Sequence, residues 1–245
     1  MDWPVAVAIV VLALVAACIQ ALSGFGFSLF IVPFLAILIG PKDTVFLANI
    51  LSVAINAAQA GHLRHAVERR TATVLTIGSF AGMPVGLAVL LLVNTTVLQI
   101  AIAVIVIVFT LLVMRGLSIH GGGLRGDLAT GVVSGILNTS TSMSGPPVVL
   151  YFQGKKMPPL EFRATTNAFF LVTALGAVVM LTLGGAVKPY VLVAAAISLP
   201  SVFIGRLVGN ALFARTHPTL FRRMVFAILL LSGVSAIAGA ILKAG

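Results

Sequence analysis

Two polar stretches interrupt long apolar runs and carry residue types suited to holding an anion: Ser23-Gly-Phe-Gly-Phe-Ser28, with Pro33 behind it, and Asn138-Thr-Ser-Thr-Ser-Met-Ser-Gly-Pro-Pro147. Where a helix unwinds, its free N–H groups need partners, and a helix N-terminus presents them with a dipole that favours negative charge. Gly24 and Gly26 allow close approach and unusual φ values, while Ser23 and Ser28 add hydroxyl donors. In the second stretch Asn138, Thr139, Ser140, Thr141, Ser142 and Ser144 form a run of neutral donors that ends in Gly145, Pro146 and Pro147. The fixed φ of proline suits a new helix start, so Pro33, Pro146 and Pro147 are expected to hold the breaks open. The plainer alternative is a pair of kinks whose hydroxyls satisfy their own helices. One such stretch opens each half of the chain, and that pairing favours a site.

The segment 43–60 offers a third wall. Asn49, Ser52, Asn56 and Gln59 follow helical spacing and place four polar side chains along one face of an apolar helix. Amides are costly against lipid, so this face is expected to turn inward, either to a ligand or to hydrogen bonds between helices. Asn167, with Thr166 and Thr173, is a thinner counterpart in the second half, and Asn49 with Asn167 is the preferred pair.

These residues must be positioned by membrane-spanning helices. A 60% hydrophobic, 8% charged chain with a mean hydropathy of +1.20 is a polytopic membrane protein. The runs are continuously apolar rather than alternating, which predicts an all-α fold and excludes a β-barrel. Spans are expected at 43–60, 71–93, 96–114, 160–183, 190–209 and 220–242, with broken, re-entrant hairpins at 3–40 and 126–153. Met1-Asp-Trp-Pro4 has no basic residue, so a cleaved signal peptide is not expected. Cys18 is the single cysteine, which rules out an internal disulfide or a thiolate metal cluster.

Internal matches divide the chain into repeats of 1–120 and 121–245. Asp43 and Asn49 match Glu161 and Asn167, Gly86 matches Gly205, and Gly116 matches Gly239, at offsets that drift from 118 to 123. If each hairpin returns to its own side, twelve of the fifteen Lys and Arg fall in the loops 61–70, 115–125, 152–163 and 206–223, against Lys42, Lys188 and Lys243 opposite. The positive-inside rule selects that arrangement. The repeats are then inverted, each a broken hairpin plus three spans, with both termini on the non-cytoplasmic side of the cytoplasmic membrane.

Absences narrow the chemistry. His62, His65, His120 and His217 all lie in loops, and no ionisable residue falls near the middle of an expected span. A buried proton relay, a metal site and a serine hydrolase built on Ser144 therefore lack their partners. The net charge of +10 reads as topology markers rather than a nucleic-acid surface. Gly82, Gly86, Gly205 and Gly209 have the spacing of close helix packing. Asp43 and Glu161 open helices, where a carboxylate can cap or gate. No cofactor is expected; the expected partners are a small anion and the bilayer, and homo-oligomerisation stays open.

Gly24-Phe-Gly-Phe-Ser-Leu-Phe-Ile-Val-Pro-Phe-Leu35 and Gly131-Val-Val-Ser-Gly-Ile-Leu-Asn-Thr-Ser-Thr-Ser-Met-Ser-Gly-Pro-Pro-Val-Val-Leu-Tyr151 resemble the repeated Gly-rich, Pro-terminated signatures of the sulfite exporter TauE/SafE family of membrane transporters. The resemblance spans nearly the whole chain. It implies transport of small sulfur-containing anions or organic acids, with Gly24, Gly26, Pro33, Gly145, Pro146 and Pro147 on the motif positions. Together these readings predict a non-enzymatic secondary transporter that works by alternating access, with substrate at Ser23, Gly24, Gly26, Ser28, Asn49, Ser52, Asn56, Asn138 to Ser142, Ser144, Gly145 and Asn167. A passive anion channel is the alternative.

Overall fold

Apolar runs punctuated by glycine and proline fold into helices across the described residues. The computed structural model describes residues 2–119 and 122–213, and among them there is no strand. The helices are α1 (Trp3–Ser23), α2 (Phe27–Leu38), α3 (Pro41–Leu63), α4 (Arg69–Leu92), α5 (Thr95–Met114), α6 (Gly123–Thr141), α7 (Gly145–Gly154), α8 (Pro159–Leu183) and α9 (Pro189–Phe213), with a 3-10 turn at Arg64–Ala66. Six are long and apolar enough to cross a membrane: α1, α3 to Gly61, α4, α5, α8 and α9 to Ala211. The chain is thus a multi-pass, all-helical membrane protein. The helix expected at 220–242, with Gly239, Arg215, His217, Arg222, Arg223 and Lys243, lies outside the described residues, as do His120 and Gly121.

The stretch expected as a hairpin at 3–40 is α1 followed by α2. At 21 residues and ~1.5 Å per residue, α1 is long enough to cross by itself. It stops at Gly24, whose φ of 80° ends the helix in the left-handed conformation, and Gly26 at φ 103° turns the chain into α2. Pro33 sits within α2, away from this turn, so it does not form the break expected of it. The second stretch is α6 followed by α7. There Ser142, at φ 60°, takes the left-handed position, and Pro146 and Pro147 lie in the first turn of α7, where a missing N–H costs nothing.

Close backbone contact fixes how the helices face. α6 packs along α4, α9 along α1, and α3 against α8. A methyl group on Gly135 would sit 2.0 Å from the Ser79 carbonyl oxygen, and one on Gly82 would sit 2.1 Å from that of Val132. Only glycine lets α4 and α6 approach so closely. Most of the buried apolar side chains, including Ile9, Ile31, Leu47 and Met83, form one cluster.

Candidate functional site

The turns after α1 and α6 meet at one cavity, where each delivers the N-terminus of the next helix. Its walls come from α2 (Phe27, Ser28, Leu29), the second turn (Ser142, Met143, Ser144), α3 (Ser52), α8 (Phe170, Ala174), and the late residues Gln20 and Asn138. Gly26 and Gly145 complete it. Ser52 lies near the middle of α3 and Phe170 near the middle of α8, so the cavity sits near mid-span. Its volume is about 20 Å³, room for one water.

Neutral donors dominate its electrostatics. Neither Gly26 nor Ser144 caps its helix with a side-chain hydrogen bond, so the first N–H groups of α2 and the Gly145 N–H of α7 keep their donor capacity at the cavity. The Ser142 hydroxyl is 98% buried and has no partner. An unpartnered buried hydroxyl is costly unless something occupies the space beside it.

The hydroxyl run divides. Ser142 and Ser144 line the cavity, whereas Ser140 and Thr141 donate back to Ile136 and Leu137 carbonyls at 2.6 and 2.8 Å. Thr139 donates to the Met83 carbonyl at 2.7 Å and ties α6 to α4. Ser23 donates to Ile19 and Phe25 carbonyls. Asn138 lines the cavity and donates to the Thr173 carbonyl at 3.0 Å.

Behind the cavity stands an amide network. Asn56 Oδ1 accepts from Gln20 Nε2 at 2.8 Å and Asn167 Nδ2 at 3.0 Å, while its own Nδ2 donates to the Ser52 carbonyl and hydroxyl. Three helices are joined through one side chain. Asn49 does not meet Asn167: it donates to Val45 of its own helix, and its Oδ1 has no partner. Neither Asn49 nor Asn167 lines the cavity.

Two residues escaped the sequence reading. Gln20 is a lone amide deep in α1, a signal that polarity at depth alone could have raised. It also stands 118 before Asn138, the offset that relates Asn49 to Asn167. Arg163 donates to the Ala21 carbonyl at 3.1 Å and lies over Gly24, where an added methyl would meet its Cγ at 2.8 Å. Placed among the loop cations by sequence, it satisfies the C-terminal end of α1 beside the break.

Charged clusters close both ends of the bundle. At one, the buried Asp43 accepts from Lys188 Nζ at 2.8 Å and from the Tyr190 hydroxyl. At the other, Asp127 accepts from Tyr151 at 2.7 Å and Lys155 at 3.1 Å, and Lys155 also reaches Thr71 at 2.9 Å. A wider basin of about 340 Å³ opens there, lined in part by Glu68, Arg70 and Glu161. Partial burial pushes the Glu68 carboxyl up, but hydrogen bonds from Thr71 and the Lys155 charge outweigh it and hold the group below the usual carboxylate range. The Lys188 side chain is 60% exposed, so its ion pair contributes little. Asp43→Asn is expected to lower stability by about 1 kcal/mol, chiefly through Tyr190, and Lys188→Met by about half that or less. Thermal unfolding in detergent checks the order, and an equal loss from both would contradict it.

No group of three or more potential metal-ligating side chains occurs among the described residues. No solved structure matches this chain. The Cupriavidus necator protein described as a probable sulfite/organosulfonate exporter TauE is 28% identical over 236 residues, covering 91% of this chain and 90% of that protein. The family model described as Sulfite exporter TauE/SafE matches residues 9–236, nearly the whole chain. Two converging helix N-termini at mid-span, each with glycine or proline at its turn, thus lie within a match to nearly the whole chain: the chain belongs to the sulfite exporter TauE/SafE family and is a membrane transporter, not an enzyme.

Proposed function

We propose that this protein is a secondary transporter of a small anion, a sulfur oxyanion or organosulfonate, working by alternating access in a cytoplasmic membrane. The observation that carries the reading is the mid-span cavity between the uncapped N-termini of α2 and α7, with the orphaned Ser142 hydroxyl in its wall. Helix dipoles and neutral donors suit an anion that must also leave, because a buried countercharge would hold it too tightly. The name of the Cupriavidus necator relative supports sulfite or organosulfonate as the ligand class.

Inverted repeats supply the moving parts. Asp43 lies at the Lys188 end of the bundle, while its sequence equivalent Glu161 lines the basin at the Thr71 end. Because α3 runs away from Asp43 and α4 starts back at the Thr71 end, equivalent residues occupy opposite ends. Packing supports this reading: exchanging halves turns the α1–α9 contact into α6–α4 and returns α3–α8 to itself. Gly82 and Gly86 lie against Val132 and Ile136 as Gly205 and Gly209 lie against Leu14 and Cys18, a likeness that supports matching Gly82 to Gly205 within this reading. The Asp43 and Asp127 clusters then act as gates on either side of a narrow cavity. A sulfite-sized anion requires that cavity to widen, and rocking of the repeats provides the room.

Proteoliposome flux tests this. Sulfite uptake is expected to saturate and to accelerate when sulfite is present on the far side, and Ser142→Ala is expected to lower affinity about fivefold, the loss of one hydrogen bond. Flux that rises linearly with concentration and ignores far-side substrate would sink the carrier reading in favour of a channel.

A further inference from the structure

The two helix ends at the cavity are not equivalent. In α2 the first helical hydrogen bond runs from the Phe30 N–H to the Gly26 carbonyl, which leaves the N–H groups of Phe27, Ser28 and Leu29 without intrahelical partners, and no side chain caps them. All three residues line the cavity. In α7 the corresponding positions are Gly145, Pro146 and Pro147, and proline has no N–H to give. The repeat offset sets Ser28 opposite Pro146 and Leu29 opposite Pro147. Across these three positions one end therefore offers three backbone donors and the other a single one.

We propose that the ligand binds in one orientation, with its anionic head on the N-terminus of α2 and its remainder toward Met143, Phe170 and Ala174. A second, independent feature points to the same spot: the Ser142 hydroxyl, buried and unpartnered, lines this cavity from the other break and supplies a donor across from α2. Three N–H groups converging with one hydroxyl match an oxyanion head with several acceptor oxygens. The apolar residues beside Ser142 suit a short carbon body, so a small alkanesulfonate and bare sulfite compete for one site. Pro146 and Pro147 become specificity elements, since they withhold donors where a second anionic group would otherwise lie.

This assignment rests on the transport reading, and the test separates the two. Binding of sulfite and of ethanesulfonate to detergent-purified full-length protein is measured by calorimetry for the wild type, for Ser28→Pro with Leu29→Pro, and for Pro146→Ser with Pro147→Leu. Loss of two charge-facing donors in the first variant is expected to weaken sulfite at least about tenfold. The second variant is expected to gain affinity for a disulfonate such as ethane-1,2-disulfonate, and a folded variant with no such gain would overturn the role given to Pro146 and Pro147. Because proline in a first helical turn is tolerated, as α7 itself shows, the first variant should fold, and the second reports even if it does not. If the wild type binds both anions but the first variant, folded, binds them equally well, the orientation is wrong and the transport site stands. Tenfold weaker sulfite binding in a folded Pro146→Ser, Pro147→Leu variant would place the head at α7 instead. If the wild type binds neither anion, the transport reading fails with the orientation.

Discussion

Gly135→Val is expected to prevent α6 from seating on α4 and to abolish recovery of folded protein. Its Cβ would lie 2.0 Å from the Ser79 carbonyl oxygen, whereas carbon and oxygen normally approach to ~3.3 Å. No side-chain rotation relieves a clash with backbone, so the helices must part by more than an ångström along their whole contact. Overpacking costs ~1–3 kcal/mol where side chains can yield, and the upper end or beyond applies where they cannot. The separation would also remove the Thr139 bond to the Met83 carbonyl and draw the α6–α7 turn away from the cavity. Gly205→Val is expected to behave alike on α9, since its Cβ would lie 2.2 Å from the Leu14 carbonyl oxygen. Gly61→Ala is the control: nothing lies near its added methyl, and alanine favours a helix by ~1 kcal/mol. Size-exclusion profiles and thermal unfolding of the three variants give the readout; a monodisperse Gly135→Val protein with wild-type stability would refute the packing argument.

Asn56→Leu should be the most damaging change among the buried amides. It deletes the acceptor of both Gln20 and Asn167 and leaves two amides, each 98% buried, without their partner. Hydrogen bonds between membrane helices average ~0.6 kcal/mol, which sets a floor near 1 kcal/mol for the two. Orphaning each buried amide adds ~1–3 kcal/mol, so a loss of about 3 kcal/mol is expected. Asn49→Leu offers the contrast. That side chain donates only to a carbonyl of its own helix and already carries an unpaired oxygen, so its replacement is expected to be neutral or stabilising. A double-mutant cycle of Asn56→Leu with Gln20→Leu is expected to show strong coupling, because the second change removes the amide that the first one orphans. Equal losses from Asn49→Leu and Asn56→Leu, or additivity in the cycle, would contradict the network. Under the proposed function, sulfite transport should fall with Asn56→Leu even where protein survives, since Gln20 belongs to the cavity wall.

Short-range chemistry governs the part of the fold that is legible in the chain. Continuously apolar runs of sufficient length must become helices in lipid, because the other element that satisfies its backbone, a closed β-barrel, needs alternating strands. The helices end at Ser23 and Thr141 for equally local reasons: glycine or a short hydroxyl residue accepts the left-handed φ, and Pro146 with Pro147 can begin a helix but not lie deep within one. The same local rules misled at Pro33, where α2 continues through the proline. Which polar side chains face the cavity depends on packing between helices. Ser140, Thr141 and Ser142 are neighbours in sequence, yet two bond to the preceding turn and one faces the cavity, because α6 stops between them. Asn49 and Asn56 share a helical face, but only Asn56 lies level with Gln20 and Asn167 on two other helices. That level is set by how α3 packs against α8 and α9, and α9 against α1. Such contacts join residues far apart in the chain, and no spacing within one segment encodes them.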